Sequence, residues 1–281
     1  MPYESYAVLL QDARQRSYAV GAFNIFGIEF LPAILQAAQR QRSPALLQIN
    51  PIHFHLTELS DYIGYVKAQI KKSPVPIGLN LDHGPDRATI LKGIRAGFPS
   101  VMFDGSKLPF KDNLRKTAEI VELCHECGIT VEAELGTLND EGAELTDEVK
   151  ARLFTDPGNA AEFITATGAD GLAVAIGNAH GFYRGEPKLD LERLSAIREA
   201  VEVPLVLHGG SGLSDSDFRD AIARGICKIN IYTEMSAAAI ATVEENAQTI
   251  TDYPTLLSQA RDSVSGVVER KMRVFNSSGK C

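Results

Sequence analysis

Short runs of near-continuous apolar and β-branched residues alternate along this chain with polar or glycine-containing turns, and then with amphipathic stretches. The runs fall at 18–25, 44–50, 76–84, 100–106, 130–137, 171–178, 204–212 and 228–233. Their apolar positions are consecutive rather than alternating, as in strands covered on both faces of a parallel sheet. Between them apolar residues recur at helical spacing, as in Phe30, Leu31, Ile34, Leu35 and Ala38, and again in Leu114, Ala118, Val121 and Leu123. Most run starts lie about 24 to 33 residues apart, the length of one strand and its returning helix. Eight such units predict an α/β fold, a (β/α)8 TIM barrel, with residues 1–281 as one domain. A doubly wound open sheet gives the same alternation and is the competing arrangement.

One interval is longer: about 41 residues separate the starts of the fifth and sixth runs. The surplus, 138–148, is acidic, contains glycine and lacks clear periodicity, so it predicts a loop after a strand end. Loops after strands form the active-site face of a barrel, and a long one is often a lid.

Composition narrows the class. The chain has 281 residues, 44% hydrophobic and 23% charged, which is ordinary for a globular protein and long enough for two domains or one large one. No apolar run approaches the ~18 residues of a membrane span. The opening residues 1–5 have neither the basic nor the apolar segment of a signal peptide. Four cysteines in so long a chain make no disulfide framework, which predicts a cytoplasmic protein. A net charge of −8 opposes nucleic acid or an anionic membrane as partner. It leaves room for an anionic small substrate, because backbone amides and a metal make a local positive site in an acidic protein.

Of six histidines, His83, His180 and His208 fall at the C-terminal ends of the third, sixth and seventh predicted strands. Those ends converge on one face of a barrel. One such histidine reads as a hydrogen-bonded strand-end residue; three at matching ends predict a divalent metal with an open position. His53 and His55 follow the second strand near the rim, and His125 lies in a helix. Asp82, directly before His83, suits a general acid/base beside a metal, or a group that orients a ligand. Asp104 and Glu134 end the fourth and fifth strands and suit either supporting groups or an alternate cation site.

After the seventh strand come Gly209, Gly210 and Ser211, before a helix that Ser214 or Asp215 can cap. Glycines let backbone N–H groups approach an oxyanion, and a helix start adds the positive end of a dipole. After the eighth strand come Asn230, Ile231, Tyr232 and Thr233. Loops after strands seven and eight are the usual barrel phosphate site, which favours phosphate over a plain tight turn. The Cys124–Cys127 pair has no second pair and sits at a helix end, so a core or helix-end role is expected.

Taken in order, these segments resemble the class II, metal-dependent ketose-bisphosphate aldolases, closest to the short tagatose-bisphosphate aldolase branch. The resemblance runs through Gly21-Ala22-Phe23-Asn24, Leu81-Asp82-His83-Gly84, Val101 to Ser106, Val131 to Gly136, Ala175 to Gly181, Leu207 to Gly212 and Lys228-Ile229-Asn230. It implies one zinc ion per subunit held by His83, His180 and His208, with Asp82 as proton donor. It implies that Asn24, Gly181, Gly209, Gly210, Ser211 and Asn230 to Thr233 hold dihydroxyacetone phosphate, beside a monovalent cation, Na+ or K+. The implied reaction is reversible cleavage of a ketose 1-phosphate or ketose 1,6-bisphosphate to dihydroxyacetone phosphate and an aldehyde, through a metal-stabilised enediolate. A homo-oligomer, dimer or tetramer, is the family habit.

Three positions depart from the family. The loop after the fifth strand usually carries Gly-Gly-x-Glu-Asp, whose Glu handles the triose C–H proton; here Gly142 falls at that Glu, leaving Glu141 or Glu144 to substitute. An Asp-Pro-Arg near the C-terminus that grips a far phosphate is replaced by Asp252-Tyr253-Pro254-Thr255, with Arg261 in a predicted helix as the remaining cation. Lys107 stands where many members have histidine. The triose-phosphate half is thus expected intact and the aldehyde half altered, with an acceptor that need not carry a terminal phosphate. Two other functions share these features: a metal-dependent sugar-phosphate epimerase or isomerase, and a catalytically reduced sugar-phosphate-binding protein.

Overall fold

The structure is a computed structural model that describes residues 4–55, 58–137, 153–179, 181 and 187–281. Helix α1 (Tyr6–Gln15) precedes β1 (Val20–Asn24), α2 (Leu31–Gln41), β2 (Ala45–Ile49), α3 (Leu59–Ile70) and β3 (Ile77–Gly84). The chain continues through α4 (Arg87–Ala96), β4 (Ser100–Phe103), α5 (Phe110–Glu126), β5 (Thr130–Leu135), α6 (Pro157–Thr167) and β6 (Gly171–Val174). It closes with α7 (Leu191–Ala200), β7 (Leu205–Leu207), α8 (Asp215–Ala223), β8 (Ile226–Ile231), α9 (Thr233–Asn246) and α10 (Tyr253–Val274). All eight strands pair in parallel and in chain order. The ring closes where β8 lies beside β1, with Val20 opposite Lys228 and Phe23 opposite Ile231. This is a (β/α)8 TIM barrel, and the open sheet is excluded.

The strands are mostly shorter than the apolar runs, β4 and β6 keeping only four residues each, and the last two runs differ most tellingly. The run at 204–212 yields only the three residues of β7, because Gly209 takes φ +63° and turns the chain out of the sheet. The run at 228–233 starts two residues earlier, at Ile226, and stops at Ile231, so that Thr233 opens α9 instead. The buried stripe of α5 is also rotated from the expected one. It runs through Asn113, Thr117, Ile120, Val121 and Cys124, leaving Leu114 and Leu123 half-buried. Two polar residues enter that stripe because they are bonded there: Asn113 donates to the Glu134 carbonyl at 2.9 Å, and Thr117 donates to Asn113 Oδ1 at 3.0 Å. Buried polar atoms with partners lose little by leaving water.

Side chains alternate across each strand, so one set faces the helices and the other the barrel axis. The helix-facing set forms one large apolar cluster, with Leu47, Leu79, Leu81, Val131, Leu172 and Leu207 buried against the surrounding helices. Each such side chain contributes roughly 1.5–3 kcal/mol on burial. The axial set is graded. Val20, Ala22 and Leu46 join Tyr6, Leu9, Leu10 and Tyr18 in a smaller cluster, so α1 closes the end of the barrel at which the strands begin. Further along the axis come Gln48, Asn80, Glu132 and Lys228, all fully buried, and then Asn24, Asp82 and Asn230 at the opposite end. That gradient leaves polar chemistry at the C-terminal ends of the strands. Among the described residues no helix is long and apolar enough to cross a membrane.

Candidate active site

The C-terminal mouth of the barrel holds a cleft of about 550 Å³. Its lining includes Asn24, Asp82, His83, Asp104, Gly181, Gly209, Gly210, Ser211, Asn230, Tyr232 and Thr233. These are among the residues expected there from the sequence. Ile231 is not in the lining; its side chain is fully buried in the core, leaving only its backbone for a ligand. His180, Glu141 and Glu144 lie outside the described residues. His53 reaches the cleft wall as well, beside Tyr232 at a ring separation of 5.7 Å. His125 sits in α5, away from the cleft, where it bonds Asp170 at 2.9 Å. Cys124 is buried, and all four cysteines are free thiols.

A local distortion brings Asp82 and His83 to the same place. Neighbours in a regular strand point to opposite faces. His83, however, has φ +46°, and the pairing of β3 with β4 shifts register between Leu81 and Gly84. A β-bulge of this kind re-aims a side chain, and the left-handed backbone is costly outside glycine. Here it turns the His83 imidazole toward the Asp82 carboxylate, with Nε2 at 3.9 Å from Oδ1.

His83 Nδ1 contacts Asp104 Oδ2 at 3.0 Å, and His208 Nε2 contacts Glu132 Oε1 at 2.8 Å. The two inner nitrogens, His83 Nε2 and His208 Nδ1, lie 2.9 Å apart. Asp82 is held by Asn24 Nδ2 at 2.8 Å and Asn230 Nδ2 at 3.1 Å, with Asn50 Nδ2 further off at 3.5 Å. Below them, Glu132 is bound by Lys228 Nζ through both oxygens, at 2.9 and 2.7 Å, and by the Tyr6 hydroxyl at 2.7 Å. Asn50, Glu132, Lys228 and Tyr6 were not expected as site residues. Glu132 shares its strand face with Glu134, two positions on, and that spacing is the only signal the sequence offered.

The charges sort by environment. Burial acts to raise Asp82, but His83, His208 and Lys228, with the Asn24 bond, bring it below the usual carboxylate range. Asp104 and Glu132 are also held low against burial, Asp104 by the bonds from His83 and Ser106, Glu132 by Lys228 and His208. Burial acts to lower His83, yet Asp82, Asp104 and Glu134 outweigh it and raise its pKa to about 10. Burial wins for His208, which is lowered. Glu134 goes the other way from the acids around it: burial, then the charge of Asp104, pushes it up to about 8.

The donor set suits a divalent metal. Ligand atoms of Asp82, His83 and His208 lie within 4.8 Å of one another, as do those of His83, Asp104 and Glu134. Glu134 Oε2 is buried with no hydrogen-bond partner among the described residues. Imidazoles whose outer nitrogens rest on carboxylates are the usual arrangement of metal-binding histidines. The Gly209 backbone meets the strand-six loop so closely that a Cβ at this position would collide with the Ala179 carbonyl. Ser214 caps α8 with a capping box, and the first turn of α9 has no side-chain cap. The uncapped N-terminus at Thr233, a residue of the cleft lining, is the one of the two that offers free N–H groups to an anion.

A barrel of this kind carries its active site at the C-terminal mouth, where this donor set lies. The model of the class II fructose-bisphosphate aldolases matches residues 4–280, and the chain belongs to that family. YdjI of Escherichia coli K12 is 40% identical over 272 residues, covering 96% of each chain. The crystal structure of the YdjI aldolase superposes with a TM-score of 0.88 at 36% identity, covering 99% of both chains. A putative fructose-1,6-bisphosphate aldolase from Coccidioides immitis gives a TM-score of 0.90 at 33% identity over 98% of this chain and 97% of that one. The fructose-bisphosphate aldolase of Campylobacter jejuni shares the fold, at a TM-score of 0.85 and 23% identity, over 99% of this chain and 97% of its own. This protein is an aldolase.

Proposed function

We propose that this aldolase depends on zinc and reversibly cleaves a ketose phosphate to dihydroxyacetone phosphate and an aldehyde. The observation that carries the reading is the pair of inner nitrogens, His83 Nε2 and His208 Nδ1, facing each other at 2.9 Å beside the Asp82 carboxylate. His83, His180 and His208 would hold the zinc. Zinc when bound supplies a Lewis acid for the ketone oxygen, so that electrons from the breaking bond have somewhere to go.

The chain's own residues do the rest. Asp82 is buried and ionised, so it can take the proton of the C4 hydroxyl as the C3–C4 bond breaks. The C4 oxygen becomes the aldehyde carbonyl, and the electron pair stays on the triose fragment. In condensation Asp82 returns the proton. Asn24 and Asn230 fix the carboxylate and line the cleft themselves, close to the triose oxygens. Gly181, Gly209, Gly210, Ser211 and Thr233 form the wall for the phosphate, with a monovalent cation, Na+ or K+, beside Gly181. Glu141 or Glu144 would move the triose C–H proton.

The far half of the substrate meets a different surface. There the cleft is lined by Pro51, Ile52, His53, Pro85 and Tyr232, with no Lys or Arg among the described lining residues. Lys107 is exposed and Arg261 lies in α10, neither of them in that lining. This supports an acceptor aldehyde without a terminal phosphate. The test is to strip metal with a chelator, restore zinc, and measure dihydroxyacetone phosphate release from ketose 1-phosphates and ketose 1,6-bisphosphates. Ketose 1-phosphates are expected to be cleaved. Cleavage of bisphosphates alone would refute the acceptor assignment, and turnover without triose release would return the epimerase or isomerase reading.

A further inference from the structure

Glu132 is a buried carboxylate met by Lys228, Tyr6 and His208. Oε1 receives Lys228 Nζ at 2.9 Å and contacts His208 Nε2 at 2.8 Å; Oε2 receives the same Nζ at 2.7 Å and the Tyr6 hydroxyl at 2.7 Å. Lys228 and Glu132 are fully buried, and Tyr6 nearly so. Lys228 comes from β8, Glu132 from β5 and Tyr6 from α1, so elements far apart in sequence meet on one group. An ammonium group has three protons and no lone pair to offer, and both of the carboxylate oxygens it touches can only accept. Tyr6 has one hydroxyl proton, which it gives to Oε2, so among the described contacts of Glu132 the proton placement left to be set is that of His208.

We infer that Lys228 and Tyr6 are positioning residues, which fix Glu132 as a pure acceptor and thereby force His208 to carry its proton on Nε2 and present the Nδ1 lone pair to the metal. The inference rests on the zinc reading for its consequence, though not for its hydrogen bonds. The direction of each bond follows from the ones before it. Lys228 can only donate to Glu132; Glu132 can then only accept from His208; Nε2 must be the N–H. In neutral His208 this leaves Nδ1 as the unprotonated nitrogen, the atom that faces His83 Nε2 at 2.9 Å. Without the clamp the imidazole would be free to exchange tautomers or to turn, and the ligand atom would be lost for part of the time. The Tyr6 bond extends the same constraint to the helix that closes the far end of the barrel, so the orientation of a ligand at one end is tied to packing at the other.

The test replaces Glu132 by an isostere of different bonding sense. In Glu132→Gln the amide oxygen satisfies Lys228, so its NH2 group turns to His208 and donates to Nε2. The proton must then move to Nδ1. Histidine-labelled apo protein should show this by 15N NMR as an inverted His208 tautomer. Zinc affinity, measured by competition with a chelating dye, should fall about 10- to 100-fold, the usual effect of removing a partner of a metal-binding histidine. The double variant Glu132→Gln with Lys228→Met frees the amide to rotate, and should recover part of both the tautomer and the affinity. A residue of merely structural importance would instead make the double variant worse. Tyr6→Phe, which deletes only a hydroxyl, serves where the others fail to fold, and should lower zinc affinity less than Glu132→Gln. A Glu132→Gln protein with the wild-type tautomer and wild-type zinc affinity would overturn the inference. An inverted tautomer in Glu132→Gln, together with a wild-type protein that took up no zinc, would uphold the bonding assignment and sink the zinc reading.

Discussion

His83 Nε2 and His208 Nδ1 stand 2.9 Å apart, too close for two bare lone pairs, and so they share one proton when no metal is bound. That proton belongs to His83, whose pKa is raised to about 10 by Asp82, Asp104 and Glu134 against burial, while burial lowers His208. A metal must displace it. Zinc binding to the apo protein at pH 8 is therefore expected to release about one proton from this pair, detectable with a pH indicator in weak buffer. The sign follows: affinity rises with pH up to about 10, since the competing proton is bound below that value and lost above it. Zinc uptake without proton release would contradict this pairing.

Asp82→Asn keeps the size and the cleft but removes the carboxylate that takes the hydroxyl proton. Cleavage should fall by roughly 10²–10⁴-fold, the usual worth of a general base. Zinc content by elemental analysis should stay at the wild-type level. Loss of metal together with activity would instead make Asp82 part of the ligand set, which the 3.9 Å approach to His83 Nε2 leaves open to test.

Gly209→Ala would drive a methyl group into the Ala179 carbonyl and place alanine at φ +63°. The backbone cost alone is of order 1–3 kcal/mol. Because the strain falls on the wall assigned to the phosphate, KM for the ketose phosphate should rise more than kcat falls. Steady-state kinetics give both. A pure loss of kcat would move Gly209 out of phosphate binding.

Glu134→Gln addresses the acid that burial pushes up to about 8. Its folded pKa lies above the unfolded value of 4.5, so between these pH values the folded state holds a proton that the unfolded chain has lost. Folded apo protein is destabilised as pH rises through that window, by up to roughly 1.4 kcal/mol per pH unit. Glutamine removes the linkage. Urea unfolding of the two apo proteins should give curves that diverge from pH 5 to pH 8, with the glutamine variant ahead at the upper end.

Much of this was legible because a barrel states itself in one dimension. Eight apolar runs at regular spacing define it, and His83, His208 and Asp82 were readable because each ends such a run. Glu132 and Lys228 were not. A charged residue inside an apolar strand carries no label, and its explanation, a partner 96 residues away, exists only once the ring is closed. Tyr6 was further from view, since nothing in residues 6–15 says that their helix will sit across the barrel. The bulge at His83 also escaped notice: Asp82 and His83 look like ordinary neighbours, and only the left-handed backbone turns both side chains to one cleft. Strand seven ended early for a local reason, the turn at Gly209 that also shapes the wall proposed for the phosphate.

Helix α1, with Tyr6, Leu9 and Leu10 packed against Val20, Ala22 and Leu46, makes the barrel a vessel with a stopper. Everything that reaches Asp82 and His83 must enter and leave through the mouth they share. Such a shape imposes an order of traffic. A metal held by His83 and His208, as proposed, would have to arrive before a sugar phosphate lying over it and could not leave while that sugar was in place. Bound substrate would then protect the enzyme from chelators.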